Sequence, residues 1–242
     1  MSRERAHASI ALSIRKLSEL EKSIADAPDL KSNLERLQNF QAQRLASTYL
    51  DVAGDPRYRP AIEFFLTDLY GPKTFEARDR EFQRAARLLG RMLPLGPLET
   101  LAQALELQTL TLDLDWRVAR QLSTGSEPSS AEYRRAYRAC GDRPARERQI
   151  ALVVGIARGL EHAVHHPSIE VLLRMAHLPA TLAGFGTLQS FLERGFEAFR
   201  RLKDIDAFIK RIEQRELAFM NQLFASAGMS QRQDAAVAAS AE

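Results

Sequence analysis

Apolar residues recur along most of the chain at spacings of three and four, and nowhere do they alternate with polar residues long enough to mark a strand. Between residues 8 and 26, Ile10, Ile14, Leu17, Leu20 and Ile24 make one stripe. Pro28-Asp29 breaks it, with Asp29 placed to cap the next helix. That helix, over about 30–52, sets Leu30, Leu34, Leu37, Phe40, Leu45 and Tyr49 against a polar face of Lys31, Glu35, Gln38, Gln41 and Arg44. Residues 97–122 carry the longest unbroken pattern, with leucines on two faces, which predicts a helix central to its bundle. The stretch STGSEPSS at 123–130 reads as a linker by composition. After it come an arginine-rich helix over 131–140, a turn at Gly141–Pro144 and a helix over 145–166. A short helix over 168–178 is stopped by Pro179, and helical patterning then runs over 187–226 with a break near Lys203-Asp204.

The pattern predicts an all-α, multi-helix bundle of about eight to ten helices and no sheet, with helix in more than about 65% of residues. Two halves are expected, 1–122 and 131–226, packed into one compact domain, followed by a disordered tail over 227–242 whose small and polar residues make no stripe.

The stretch 56–82 concentrates aromatic residues: Tyr58, Phe64, Phe65, Tyr70, Phe75 and Phe82. Such a cluster marks a core or an interface. Pro60 suits a first helical turn, and Gly71-Pro72 a stop. On that helix Ile62, Phe65, Leu66 and Leu69 share a face expected to enter the core, while Phe64 lies about 100° away with Ala61 and Asp68. Tyr58, Phe64, Asp68 and Tyr70 are therefore the candidate interaction residues, with Asp68 expected to pair with Arg57 or Arg78.

Composition narrows the function classes. Charged residues make up 27% and apolar residues 45%, ordinary for a soluble globular protein. The single cysteine, Cys140, excludes an internal disulfide and a cysteine-built zinc site. No apolar run is long enough to span a membrane, and the basic N-terminus lacks the continuous apolar core of a signal peptide, so a cytoplasmic location is expected. The net charge of +3 comes from basic residues that are mostly arginine.

Few constellations suggest chemistry. His162, His165 and His166 follow Glu161 near a helix end, and His162 and His166, four apart, share a face. No HExxH and no pair of ExxH motifs accompanies them, and histidines also suit a helix C-terminus. Asp113 and Asp115, two apart on a helix, point to different sides; Asp113 is the one expected to pair with an arginine of a neighbouring helix. Gly155 and Gly159 on the most apolar helix allow one close helix crossing. Arg134, Arg135, Arg138, Arg143, Arg146 and Arg148, interleaved with Tyr133 and Tyr137, could hold nucleic acid, but Glu132, Asp142 and Glu147 dilute the charge and a face of internal salt bridges is the simpler reading. No phosphate loop, nucleophile elbow or metal motif appears.

The run Phe64-Phe65-Leu66-Thr67-Asp68-Leu69-Tyr70-Gly71 resembles the signature of an uncharacterised family of bacterial helical proteins named for an FFLEELY motif, with Thr67 and Asp68 where that name has two glutamates. The resemblance implies a bacterial cytoplasm and brings no activity or site residue with it. The expected function is that of a non-enzymatic interaction or regulatory protein, with a protein partner, a homo-oligomer among the options, no cofactor, no metal and no catalytic residue. The alternative is a small-molecule-binding or enzymatic bundle with a pocket near Asp113, Trp116, His162 and His166. A weak nucleic-acid binder through 134–148 is third.

Overall fold

The computed structural model describes residues 1–69, 76–89, 93–165, 167–202 and 204–225. Helix covers 85% of them, and no strand occurs among them. In chain order the helices are α1 (Arg3–Ala25), α2 (Pro28–Thr48), α3 (Leu50–Gly54) and α4 (Arg59–Phe64), which runs into a π-helical turn at Phe65–Leu69. Then follow α5 (Glu76–Leu89), α6 (Leu95–Ala119), α7 (Ser130–Cys140), α8 (Arg143–Val164), α9 (Pro167–Leu182), α10 (Gly186–Arg200) and α11 (Ile205–Phe224). The all-α, multi-helix expectation is met. Tyr70, the Gly71-Pro72 stop, Phe75, His166 and the tail 227–242 lie outside the described residues.

Local chemistry explains most of the boundaries. The Ser129 hydroxyl accepts from the Glu132 amide to open α7, and Gly141 closes that helix at φ +62°, a conformation glycine adopts without Cβ strain. The Asp142 carboxylate then accepts from the Ala145 amide to cap α8. Asp204 caps α11 through the Ala207 amide. Two ends differ from the sequence reading. The second helix starts at Pro28 itself, because proline's fixed φ suits a first turn, so Asp29 sits inside that turn rather than at the cap. And α9 passes through Pro179 to Leu182. The missing N–H falls in the last turn of an exposed helix, where water can satisfy the orphaned carbonyl.

The organising helix is α6. One side lies along α1, and α8 runs antiparallel to it on another. The direction is set by four contacts: Arg148 with Glu106 at 2.7 Å, Gln149 Nε2 donating to Thr111 Oγ1 at 2.8 Å, and Gly155 and Gly159 against Gln103 and Thr100. The two glycines give the close crossing that their spacing suggested. A Cβ on Gly159 would stand 3.3 Å from the Thr100 Cβ, with the Thr100 hydroxyl and methyl nearer still. Gly159→Leu is therefore expected to destabilise by about 1–3 kcal/mol through overpacking. Adding Thr100→Gly should recover part of the loss in urea melts, whereas two independent losses would show that the crossing is not the cause.

Residues from both sides of the 123–130 segment share two core clusters. In the first, Tyr49, Ile62 and Phe64 meet Phe199, Phe208 and Ile212. In the second, Leu37 and Trp116 meet Tyr137, Met220 and Leu223. A third cluster of Ile10, Ile14, Ala86, Leu98 and Leu105 fills the space between α1, α5 and α6. No helix among the described residues is long and apolar enough to cross a membrane.

Candidate functional site

Where α2, α6, α7, α8 and α11 converge, charged and phenolic side chains meet inside the bundle around a cavity of about 90 Å³. From α2, Arg44 donates to both oxygens of Glu216 on α11, at 2.8 and 3.0 Å, and its guanidinium lies 4.3 Å over the Phe219 ring. The Tyr49 hydroxyl donates to the same carboxylate at 2.9 Å. Burial, together with that carboxylate, pushes the Tyr49 phenol up, so it remains the donor. On the far wall Asp115 of α6 accepts from Gln41 Nε2 at 3.0 Å. Arg146 of α8 stacks 4.4 Å over the Tyr137 ring and donates from Nη1 to Gln149 Oε1 at 3.1 Å. Among the described residues no group accepts from its Nη2, and the residue is buried. Burial pushes the Asp115 carboxyl up, against the opposing pull of Arg146 and the Gln41 hydrogen bond.

The residues singled out from sequence fall elsewhere. Asp113 is on the outer side of α6, ion-paired with Arg117 one turn on, and Arg117 also reaches Asp142 at 3.1 Å. Two residues on a helix are about 200° apart, which is why Asp115 and not Asp113 points inward. Trp116 is buried in the second core cluster. His162 lies on α8 beyond Gly159, next to the start of α6, roughly 20 Å along the helix from Asp113 at about 1.5 Å per residue. The structure does not bring these three together.

Around His162 the surface forms an open basin with Arg158, Glu161, His165 and Asp206. The Nδ1–H groups of His162 and His165 donate to the carbonyls of Arg158 and Glu161 at 2.7 and 2.8 Å. No group of three or more His, Cys, Asp or Glu among the described residues is arranged to hold a metal ion.

The candidate interaction residues divide differently. Tyr58 and Phe64 are buried: Tyr58 stacks on Phe208 at 5.6 Å, and Phe64 packs between Phe191 and Phe199. Asp68 accepts from Arg194 Nε at 2.9 Å, tying the π-helical turn to α10, while Arg57 pairs with Asp55 inside its own turn. The arginine stretch is largely engaged within the fold. Arg138 donates to the Leu223 carbonyl, Arg143 pairs with Glu147, Arg148 with Glu106, and Arg146 is internal. Burial pushes the Cys140 thiol up, against the pull of Arg146 and Arg117, which suits an unreactive thiol.

The apolar surface lies on a helix that the aromatic count did not single out. On α9, Val171, Leu172, Met175, Leu178 and Leu182 are all exposed, Met175 at 72% and Leu182 at 79%. Their spacing of one, three, three and four residues puts them on one side of the helix.

A family model described as domain of unknown function DUF8198 matches residues 21–229. The chain belongs to this family. No curated protein and no solved structure matches it. The matched span holds every helix from α2 to α11, so the inner cavity and the α9 face both belong to the DUF8198 domain. One sequence signal for the cavity was available. A helix apolar on two sides leaves little room for polar residues on the outside, so Thr109, Thr111 and Asp115 on α6 were the ones to examine.

Proposed function

We propose that this chain is a non-enzymatic interaction protein whose docking face is the outer side of α9 and whose partner is a second copy of itself. The observation that carries the reading is the exposed stripe of Val171, Leu172, Met175, Leu178 and Leu182. At roughly 100 Å² each, these side chains present roughly 500 Å², the upper range of the largest apolar patch on a typical monomer. Two such faces bury about 1,000 Å², the threshold for a specific interface.

The stripe is also close to palindromic about Met175. Leu172 and Leu178 lie three residues to either side, Val171 and Pro179 four, Ser168 and Leu182 seven. Two antiparallel copies of α9 would therefore set Leu172 against Leu178 and Val171 against Pro179 across a twofold axis through Met175, with Leu182 over Ser168, the isologous arrangement of most dimers. The flanking polar side chains are occupied locally, Arg174 by Glu170 at 2.7 Å and His177 by Glu193 at 2.8 Å, and leave the stripe uncovered. The FFLEELY resemblance supports a bacterial cytoplasmic setting.

Sedimentation equilibrium tests the proposal. The wild-type chain is expected to dimerise in the micromolar range, as suits an interface of about 1,000 Å². Met175→Glu, which sets two carboxylates against each other at the axis, should weaken the dimer about a hundredfold or more with an unchanged melting temperature of the monomer. A chain that stays monomeric at about 100 µM overturns the self-association reading. So does a dimer indifferent to Met175→Glu.

A further inference from the structure

We propose that Met175 makes the α9 face a peroxide-sensitive switch, in which oxidation of its thioether to the sulfoxide keeps the chain monomeric. The switch rests on the self-association reading and regulates that same interface. Met175 stands at the centre of the exposed stripe and is itself 72% exposed, so a small oxidant reaches the side chain in the monomer. In the dimer the same side chain lies on the twofold axis, where a change in its polarity is felt most.

The other sulfurs among the described residues are placed differently. Met220 is 2% exposed and packs in the second core cluster. Cys140 is half-buried, and burial pushes its thiol up, away from the thiolate that reacts with peroxide. Met1 is exposed, but its amine pairs with Glu99 of α6 at 2.6 Å, so it does not belong to the α9 face.

The step balances with hydrogen peroxide as the oxidant. One peroxide oxygen forms the S–O bond, the O–O bond breaks, sulfur loses two electrons and the remaining oxygen leaves as water. The product is a polar side chain where the interface needs an apolar one. The neighbouring side chains Val171, Leu172, Leu178 and Pro179 carry no donor, while Arg174 is held by Glu170 and His177 by Glu193. Burying the sulfoxide oxygen without a donor is unfavourable. Because the twofold axis runs through Met175, one oxidation per chain brings two such groups together. Association in turn covers Met175, so oxidation proceeds through the monomer and slows as the dimer forms.

The test treats the full chain with hydrogen peroxide at concentrations below and above its dimer dissociation constant, with peptide mass spectrometry and sedimentation equilibrium as readouts. The tryptic peptide that begins at Met175 should gain one oxygen, more slowly in the dimer range. The dissociation constant of the oxidised chain should rise about thirtyfold or more. Met175→Leu keeps an apolar side chain of similar volume, so it should dimerise as the wild type does before peroxide and stay unchanged after it. An oxidised wild type that dimerises as before overturns the switch. So does a Met175 oxidation rate that stays constant while the dimer forms, or a Met175→Leu chain that loses its association after peroxide, which places the effect on another sulfur. Failure of the self-association reading looks different: wild type and Met175→Leu are then both monomeric before any peroxide is added, and the switch falls with it.

Discussion

Phe64→Ala is expected to destabilise the fold by about 3–5 kcal/mol, the range for a buried aromatic cut to alanine. Phe64 ends α4 and is 7% exposed. Its ring sits 5.2 Å from Phe191 and 6.5 Å from Phe199, tilted against the first and edge-on to the second. Between them, Gly195 brings the α10 backbone so close that a Cβ there would lie 2.8 Å from Phe64 Cζ. The ring therefore fills a groove shaped for it, and truncation leaves a cavity that α10 cannot close without shifting its Arg194 relative to Asp68 on the π-helical turn. Phe65→Ala should cost less, about 1–3 kcal/mol, since Phe65 is half-buried, meets Tyr49 edge-on at 6.3 Å and borders the inner cavity. Urea denaturation of the two variants gives the order directly. Equal losses, or a larger loss for Phe65, would contradict this account of α4.

That order reverses the one read from the stripe Ile62, Phe65, Leu66, and the reason is physical. Helical periodicity tells which residues share a side, and it did so well enough to place nearly every helix of the bundle. It does not tell how many sides are covered. Ala61 and Ile62 are both buried, so α4 is enclosed on the Phe64 side as well. The π-helical turn that follows then shifts the positions after Phe64 relative to a plain helix. The same limit explains Asp113 and Asp115. On a helix apolar around most of its circumference, sequence alone does not say which of two carboxylates is inside; the α8 contact decides it. Breaks written in local chemistry, such as the linker before α7 and the turn that opens at Gly141, were legible because they act within three or four residues. The cavity was not, since its walls come from five α-helices and the π-helical turn, spread between Gln41 and Met220. The α9 face was missed through Pro179: with the helix stopped there, Leu182 drops off the stripe and its extent is hidden.

Glu216→Leu is expected to cost about 3–5 kcal/mol, as removing one partner of a buried ion pair does. The carboxylate accepts three hydrogen bonds, two from Arg44 and one from Tyr49, and both donors belong to the end of α2 and the residue after it. It is thus a contact by which α11 holds α2 across the inner cavity, beside the bond from Arg215 to the Thr48 carbonyl. Arg44 and Glu216 side chains are 19% and 20% exposed, so water offers only partial compensation when the carboxylate is lost. Arg44 keeps its charge: burial opposes the cation, yet Glu216 more than offsets this and raises it. Without Glu216 the guanidinium keeps its contact with the Phe219 ring but loses its carboxylate, and the Tyr49 hydroxyl loses its acceptor. The penalty lies in the orphaned donors rather than in the value of the pair, which gives the control. Glu216→Leu combined with Arg44→Met and Tyr49→Phe removes every orphan and should return most of the lost stability, because apolar replacement of a whole buried polar cluster is often neutral. Urea melts of the single and triple variants decide the matter. A single variant within about 0.5 kcal/mol of wild type would show that water already reaches Arg44. A triple variant no better than the single one would mean that the cluster's shape, and not its charge balance, holds α2 to α11.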